Sequence, residues 1–483
     1  MSMIRTDSSV GCLDPNLPIT YGSLLDFPDD PVACMRRLYE THGNLAILQD
    51  GAQQVVFVFG PELNQRVLSD ANTFHSRFFV VRGPRNSPQR RLTSGLMSMN
   101  GNELKQHRRV VMGPFQKKSI VNYHERICQL TDEMLDDWPL GEVRDIHEEM
   151  TQYMLRVTSA ILFGLEMPEL AFRVGAMLDR WVRMNHETGM GAFVSEPLLT
   201  EKYEQLLELA VELEADIQEM VRMRRSSGAG GDDVLSLLIR AHEERGLVSD
   251  EELIGHVALL FGAAHLTTAH TLTWTLFLLA QHPTIMRDLM QEIDDKVPGA
   301  APTLDKIAAM PLTERVLKEC MRVLPASSYS QRICAEPVEL GQLKLSRGTG
   351  VIFSQFITHH LPDLYPDPET FRPDRWLEIS PSPYMYLPFG AGPRMCLGAP
   401  LAMMTLKTAL PIIFKRYRLT VVPGVEISGK VISTMLGPTT SVPMLVSRHD
   451  GHFESSPVTG NIHSLVNLPE VPVSDFGDAR RAA

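Results

Sequence analysis

The strongest feature of the hydropathy pattern is a run from Leu253 to His282 that contains no Asp, Glu, Lys or Arg. Ser249 stands three residues before Glu252, the reciprocal pairing in which a hydroxyl and a carboxylate satisfy the first free amides of a helix, and Pro283 closes the run. At 1.5 Å per residue the predicted helix is about 45 to 50 Å long, enough to cross a globular domain. A membrane span has the same length and composition. The acidic entry, the lack of a basic flank, the polar Thr267, Thr268, Thr271, Thr273 and Thr275, and the histidines His256, His265 and His270 predict a buried core helix instead.

Elsewhere the pattern is less extreme. Residues 53–59 are rich in β-branched and aromatic side chains, stop at Gly60-Pro61 and read as a strand, with residues 45–49 as its candidate partner. Residues 77–100 mix aromatics, glycine, prolines and arginines and read as a loop. Helical periodicity runs almost throughout residues 103–244, including a helix over 104–115, with breaks around Met190-Gly191 and at 226–231. The second break is glycine-rich, but the helical pattern resumes after it, which predicts a loop inside one domain. Residues 397–410 read as a further helix. After Gly451 the chain turns polar, predicting a tail over 449–483 that is extended or disordered.

A chain of 483 residues, 44% apolar, can bury a large core, and its length alone suggests two or three domains. A formal net charge of −12, with no basic and aromatic stretch to offset it, argues against a nucleic-acid partner. The six cysteines are scattered, without zinc or redox spacing. Residues 1–29 are polar and broken by Pro15, Pro18 and Pro28, so they read as neither a signal peptide nor a membrane anchor, and a soluble cytoplasmic protein is expected. Basic clusters at Arg108-Arg109, at Lys117-Lys118 and at Lys415, Arg416 and Arg418 are either solvated surface or a docking face for an acidic protein.

The chemistry concentrates at residues 389–398. There Cys396 stands among Gly390, Gly392 and Gly398, two residues after Arg394 and just before a predicted helix whose first amides point back at the sulfur. This setting favours a thiolate and suits a metal ligand, with Arg394 free to neutralise a carboxylate. A buried structural thiol in a glycine-rich turn is the alternative. The segment resembles the heme-binding signature of the cytochrome P-450 family, F-x-x-G-x-R-x-C-x-G, at every defined position. The resemblance implies a mainly α fold with small β regions, the cytochrome P-450 fold, as a single large helical domain over residues 30–448 around heme b (iron protoporphyrin IX).

By that resemblance Cys396 is the iron ligand, Phe389, Gly390 and Gly398 shape its loop, and Arg394, Arg332, Arg108 and His359 anchor the propionates. Glu319, Arg322 and Arg375 form the family's buried charge network. In the central helix the family's Ala/Gly-Gly-x-Asp/Glu-Thr pattern falls on residues 263–267: Thr267 is kept, but Ala264 replaces the glycine and Leu266 the acid. The acid normally relays protons during O2 cleavage, so its loss opens an alternative. The first expectation is a monooxygenase acting on a secondary metabolite, lipid or terpenoid, with NAD(P)H electrons delivered by a ferredoxin or flavodoxin and its reductase. The alternative is an O2-independent or peroxide-dependent catalyst: a peroxygenase, isomerase, dehydratase or group-transfer enzyme. The resemblance places Phe78, Phe79, Met97, Phe193, Leu260, Ala264, Thr268, Ser327, Ser328, Met435 and Leu436 around the substrate.

Overall fold

The computed structural model describes residues 17–470 apart from 80, 165–167, 192–196, 227–230, 232, 244–245 and 247. Its axis is the helix Asp250–Gln281, opened by the capping box read from the sequence: Ser249 Oγ accepts from the Glu252 amide and Glu252 Oε2 accepts from the Ser249 amide at 2.7 Å. Among the described residues this one helix is long and apolar enough to cross a membrane, and 67% of its most apolar stretch is buried inside the protein. Helices Ile146–Val157, Pro168–Gly191, Pro197–Ser226, Pro311–Val323 and Ala399–Arg416 pack on it. Apolar residues occur all round the helix, so its burial requires partners on most sides, with the stretch 259–267 left partly uncovered.

One packing contact is unusually close. A Cβ on Gly255 would lie 2.5 Å from the Gly95 amide nitrogen and 2.8 Å from the Arg91 carbonyl oxygen, so the 77–100 segment touches the central helix backbone to backbone. That segment is not wholly loop: Pro88–Leu92 is a short helix capped by the Ser87 hydroxyl.

A six-stranded sheet flanks the helical body, in the order Ile19–Tyr21, Leu45–Asp50, Gln53–Val58, Gly350–Ser354, Tyr329–Cys334, Phe74–His75. Its central hairpin pairs Ile47 with Val56. Gly51, at φ +55°, takes the left-handed turn conformation between the two strands. Strands Arg418–Val421, Pro443–Ser447 and Val143–Asp145 form a second sheet, and Gly429–Ile432 with Met435–Pro438 a hairpin.

Three boundaries differ from the sequence reading. The helix predicted over 104–115 is Gly101–Val111, followed by a 3-10 turn at Gly113–Phe115 where Pro114 lacks the amide to continue. The helix predicted to stop at Leu410 continues through Pro411 to Arg416. The tail expected to be extended or disordered from residue 449 is packed as far as Leu468, because Ile462, Leu465 and Val466 are buried in the core.

The core also holds several histidines in neutral form. Burial pushes His186 and His256 down to about 4 and His270 and His359 down to about 3; the charges of His107, His147 and Arg322 act in the same direction on the last three respectively. In the unfolded chain such groups titrate near ~6.5, so below that pH the unfolded state binds more protons. Their stabilisation is complete above ~6.5 and is lost as pH falls toward the folded values. Thermal melts are therefore expected to show a midpoint that falls steadily from pH 7 to pH 5; a flat profile would contradict this.

Candidate active site

The Cys396 loop is built by its glycines. Gly390 and Gly392 have φ of +65° and +71°, and a Cβ on Gly392 would overlap the Leu68 carbonyl oxygen. The turn Gly392–Arg394 follows, and the Cys396 amide donates to the Phe389 carbonyl at 2.9 Å. Helix Ala399–Arg416 begins just beyond, so the Gly398 and Ala399 amides donate to the sulfur. Burial nevertheless pushes the thiol above its usual range, outweighing those amides and the nearby Arg108 guanidinium. The amides and the guanidinium favour the anion and the surrounding protein opposes it; Cys396 keeps exposed surface, and coordination to a cation is what removes the proton.

Three guanidiniums gather on this side. Arg394 donates through Nη2 to the Met99 carbonyl and to Asn100 Oδ1 at 2.6 Å, while its Nε is buried without a partner. Arg108 donates to the Met395 carbonyl at 2.5 Å. Arg332 donates to the Gln331 carbonyl at 2.8 Å and lies 5.1 Å from the centre of the Phe353 ring. Burial, then Arg394, pushes Arg332 down to about 9; burial, then Arg108, pushes Arg394 down to about 10. None of the three forms an ion pair with a carboxylate among the described residues. Buried like charges without a counter-charge are costly, and a dicarboxylate ligand satisfies them.

His359 does not join this group. Its ring is fully buried 5.4 Å from that of Tyr386, and its Nε2 accepts from the Leu387 amide at 2.7 Å. Its assignment as a propionate anchor is corrected, since the acceptor nitrogen is already used inside the core. His359 instead borders the charge network, where its carbonyl accepts from Arg322. Glu319, Arg322 and Arg375 meet there with no exposure to solvent.

The central helix is open on one side. Ala263 is exposed, Leu260, Ala264, Leu266 and Thr267 are half-buried, and Phe261, His265 and Thr268 are buried. The Thr267 hydroxyl donates to the Ala263 carbonyl at 3.1 Å. His265 turns away from the open side: Nδ1 donates to the Phe261 carbonyl at 3.0 Å and Nε2 lies 3.4 Å from Asp179. The carboxylate missing at Leu266 is therefore not replaced on the open side by this imidazole.

Phe78, Met97, Ser327 and Met435 retain exposed surface, whereas Ser328 and Leu436 are fully buried and Phe79 and Thr268 nearly so. These last four stand behind the lining, which corrects their reading as pocket residues; Phe79 is occupied by Phe78 and Trp181, ring centres 4.8 Å from each. Phe193 lies outside the described residues. Sequence reasoning missed Asn100, which holds Arg394 from 294 positions away. It also missed a buried chain in which His107 bonds His256 at 3.0 Å and Glu252 at 3.2 Å. The Glu252 to His256 spacing of one helical turn was its available signal.

The sequence model of the family described as cytochrome P450 matches residues 14–443. The chain belongs to the cytochrome P450 family. It is similar to cyclooctat-9-en-7-ol 5-monooxygenase of Streptomyces melanosporofaciens, 30% identical over 79% of this chain and 84% of the relative. Pentalenene oxygenase of Streptomyces avermitilis is 27% identical over 85% of this chain and 92% of its own. The crystal structure of the cytochrome P450DA heme domain superposes with a TM-score of 0.77 at 23% identity, covering 90% of this chain and 98% of that one, and shares the fold. As a P450 the protein is a heme-thiolate oxidoreductase of the monooxygenase class. The glycine cradle, the sulfur at a helix N-terminus and three unpaired guanidiniums fit a heme with its two carboxylates.

Proposed function

We propose that this P450 is a soluble cytoplasmic monooxygenase that inserts one oxygen atom into a terpenoid or similarly apolar metabolite, with residues 30–448 as its catalytic domain. One observation supports the substrate class: bacterial relatives aligned along 79% to 85% of the chain are named for cyclooctat-9-en-7-ol, cyclooctatin and pentalenene. The half-buried Leu260, Ala264, Leu266 and Met435 offer such a substrate an apolar surface.

When bound, the heme supplies O2 activation at a thiolate-ligated iron. Cys396 would hold the iron through Sγ, tempered by the Gly398 and Ala399 amides, with Phe389 shielding the sulfur from water. Arg394, Arg332 and Arg108 would hold the heme carboxylates. Ala263 and Ala264 keep side-chain bulk low on the open side of the central helix, and the Thr267 hydroxyl can exchange its Ala263 bond for a water and pass a proton.

Leu266 favours a second reading, in which reaction proceeds with peroxide or without external oxidant. Purified holoprotein incubated with apolar candidate substrates under reductase plus O2, under peroxide, and under neither separates the two. Product under the first regime alone supports the monooxygenase; product under peroxide or substrate alone, with none from reductase and O2, overturns it.

The electron donor in this reading is a ferredoxin or flavodoxin with its NAD(P)H-dependent reductase. Arg109, Lys117 and Lys118 are exposed near the Cys396 helix, together with Met112 and Met395. The other basic cluster is engaged, since Lys415 donates to the Val297 carbonyl, Arg416 pairs with Asp136 and Arg418 lies 3.5 Å from Asp450. Lys117→Glu with Lys118→Glu is expected to slow first-electron transfer several-fold at low ionic strength, with substrate affinity unchanged. Unaltered stopped-flow reduction would place the donor elsewhere.

A further inference from the structure

We propose that residues 451–468 act as a strap that positions the hairpin Gly429–Ile432/Met435–Pro438, with Asn461 as the positioning residue, and so set which ligands the heme pocket admits. This rests on the heme site and on Met435 as pocket lining, as argued above. The strap lies beyond the residues matched by the family model, yet it is woven into the body.

Its backbone runs beside residues 424–427: Gly424 donates to the Pro457 carbonyl at 2.7 Å, Thr459 to Val425 at 2.9 Å and Ile427 to Thr459 at 2.9 Å. Gly460, at φ +100°, crosses so near the Ile427 carbonyl that a Cβ would overlap it. Asn461 then grips Gly429 from both sides, Oδ1 accepting from its amide at 2.7 Å and Nδ2 donating to its carbonyl at 2.8 Å. This side-chain amide takes the place of a neighbouring strand at the hairpin's base. Leu465 and Trp274 close over the same glycine, each 3.2 Å from where its Cβ would be.

From that base the hairpin carries the constraint inward. Gly429 pairs with Pro438 and Ile432 with Met435. Gly437 seats the His270 ring where a Cβ would overlap it, three residues beyond Thr267 on the central helix. At the tip the Ser433 carbonyl accepts from Tyr329 Oη at 2.6 Å, the Thr434 carbonyl accepts from the Ser328 amide, and Met435 bridges Ser327. A shift at Gly429 therefore moves Met435 and the segment before Tyr329 together.

The test compares heme-loaded wild type, Asn461→Ala and Asn461→Asp, the last keeping the acceptor for the Gly429 amide. Spectral titrations use imidazole, a small iron ligand, and 4-phenylimidazole, which must also fit the pocket. In Asn461→Ala the affinity for 4-phenylimidazole is expected to change about tenfold while that for imidazole stays within about twofold, with Asn461→Asp between. Amide hydrogen exchange over residues 429–438 should accelerate in Asn461→Ala, with residues 250–281 unchanged. Equal 4-phenylimidazole affinity in all three proteins overturns the proposal, even if the thermal midpoint falls, because a purely structural strap would change only the midpoint. Should Asn461→Ala fail to load heme, Asn461→Asp decides by the same readouts. Loss of the heme-thiolate reading would show separately, as a wild type without the red-shifted carbon monoxide band.

Discussion

Glu319→Ala is expected to give a protein that accumulates as aggregate or purifies without heme. Oε1 of this carboxylate accepts from Arg322 Nη2 at 2.8 Å, Arg375 Nε at 3.1 Å and the Arg372 amide at 3.1 Å; Oε2 accepts from Arg322 Nε and the Trp376 indole, both at 3.0 Å. The arginines spend their other protons on carbonyls of His359, Pro368 and Thr370, and of Pro366 and Asp367. Removing the one anion strands two guanidiniums that water cannot reach, costing about 3–5 kcal/mol. Domains are typically stable by ~5–15 kcal/mol, so this loss is a large part of the whole. Soluble yield and the thermal midpoint measure it; a midpoint within a degree or two of wild type would show that the network is not holding the fold. Glu319→Gln, which keeps two acceptor lone pairs and loses the charge, should fall between.

The second large effect is expected at Cys396→Ser. Cys396 keeps exposed surface, and its protein partners are the Gly398 and Ala399 amides, which a hydroxyl also accepts. Folding should therefore survive, with a thermal midpoint near that of wild type. What changes is the electron donation that favours O–O cleavage, which needs a thiolate. The reduced, carbon-monoxide-treated variant is expected to lose the red-shifted band, and oxygenation to fall to background. A variant that keeps the band would mean that the iron ligand is another residue.

Much of this was legible in the chain before folding. The central helix announced itself because its capping box and charge-free run are local, and local hydrogen bonding decides where a helix begins. The Cys396 loop was equally plain, since its glycines meet steric demands set by their immediate neighbours. The charge network needed two segments to be read together, Glu319 with Arg322 and the stretch from Phe371 to Trp376 that carries Arg375. Where reading failed, the cause was distance or burial. Asn100 meets Arg394 across the whole catalytic body, and nothing near either residue signals the other. The tail looked too polar to pack because its anchors, Ile462, Leu465 and Val466, are few, but they sit on a helical turn against a preformed surface. Burial likewise decided against His359 as an anion partner, since desolvation depends on everything that packs around a group.

The convergence of Arg108, Arg332 and Arg394 bears on how the cell makes this protein. Until a dicarboxylate arrives, three positive groups repel one another in a poorly hydrated recess. A ligand that binds only the native chain stabilises it by mass action. Newly synthesised chains thus stand closer to their unfolding threshold than mature ones and are the better prey for proteases. A richer supply of porphyrin is therefore expected to raise the amount of enzyme that a host maintains.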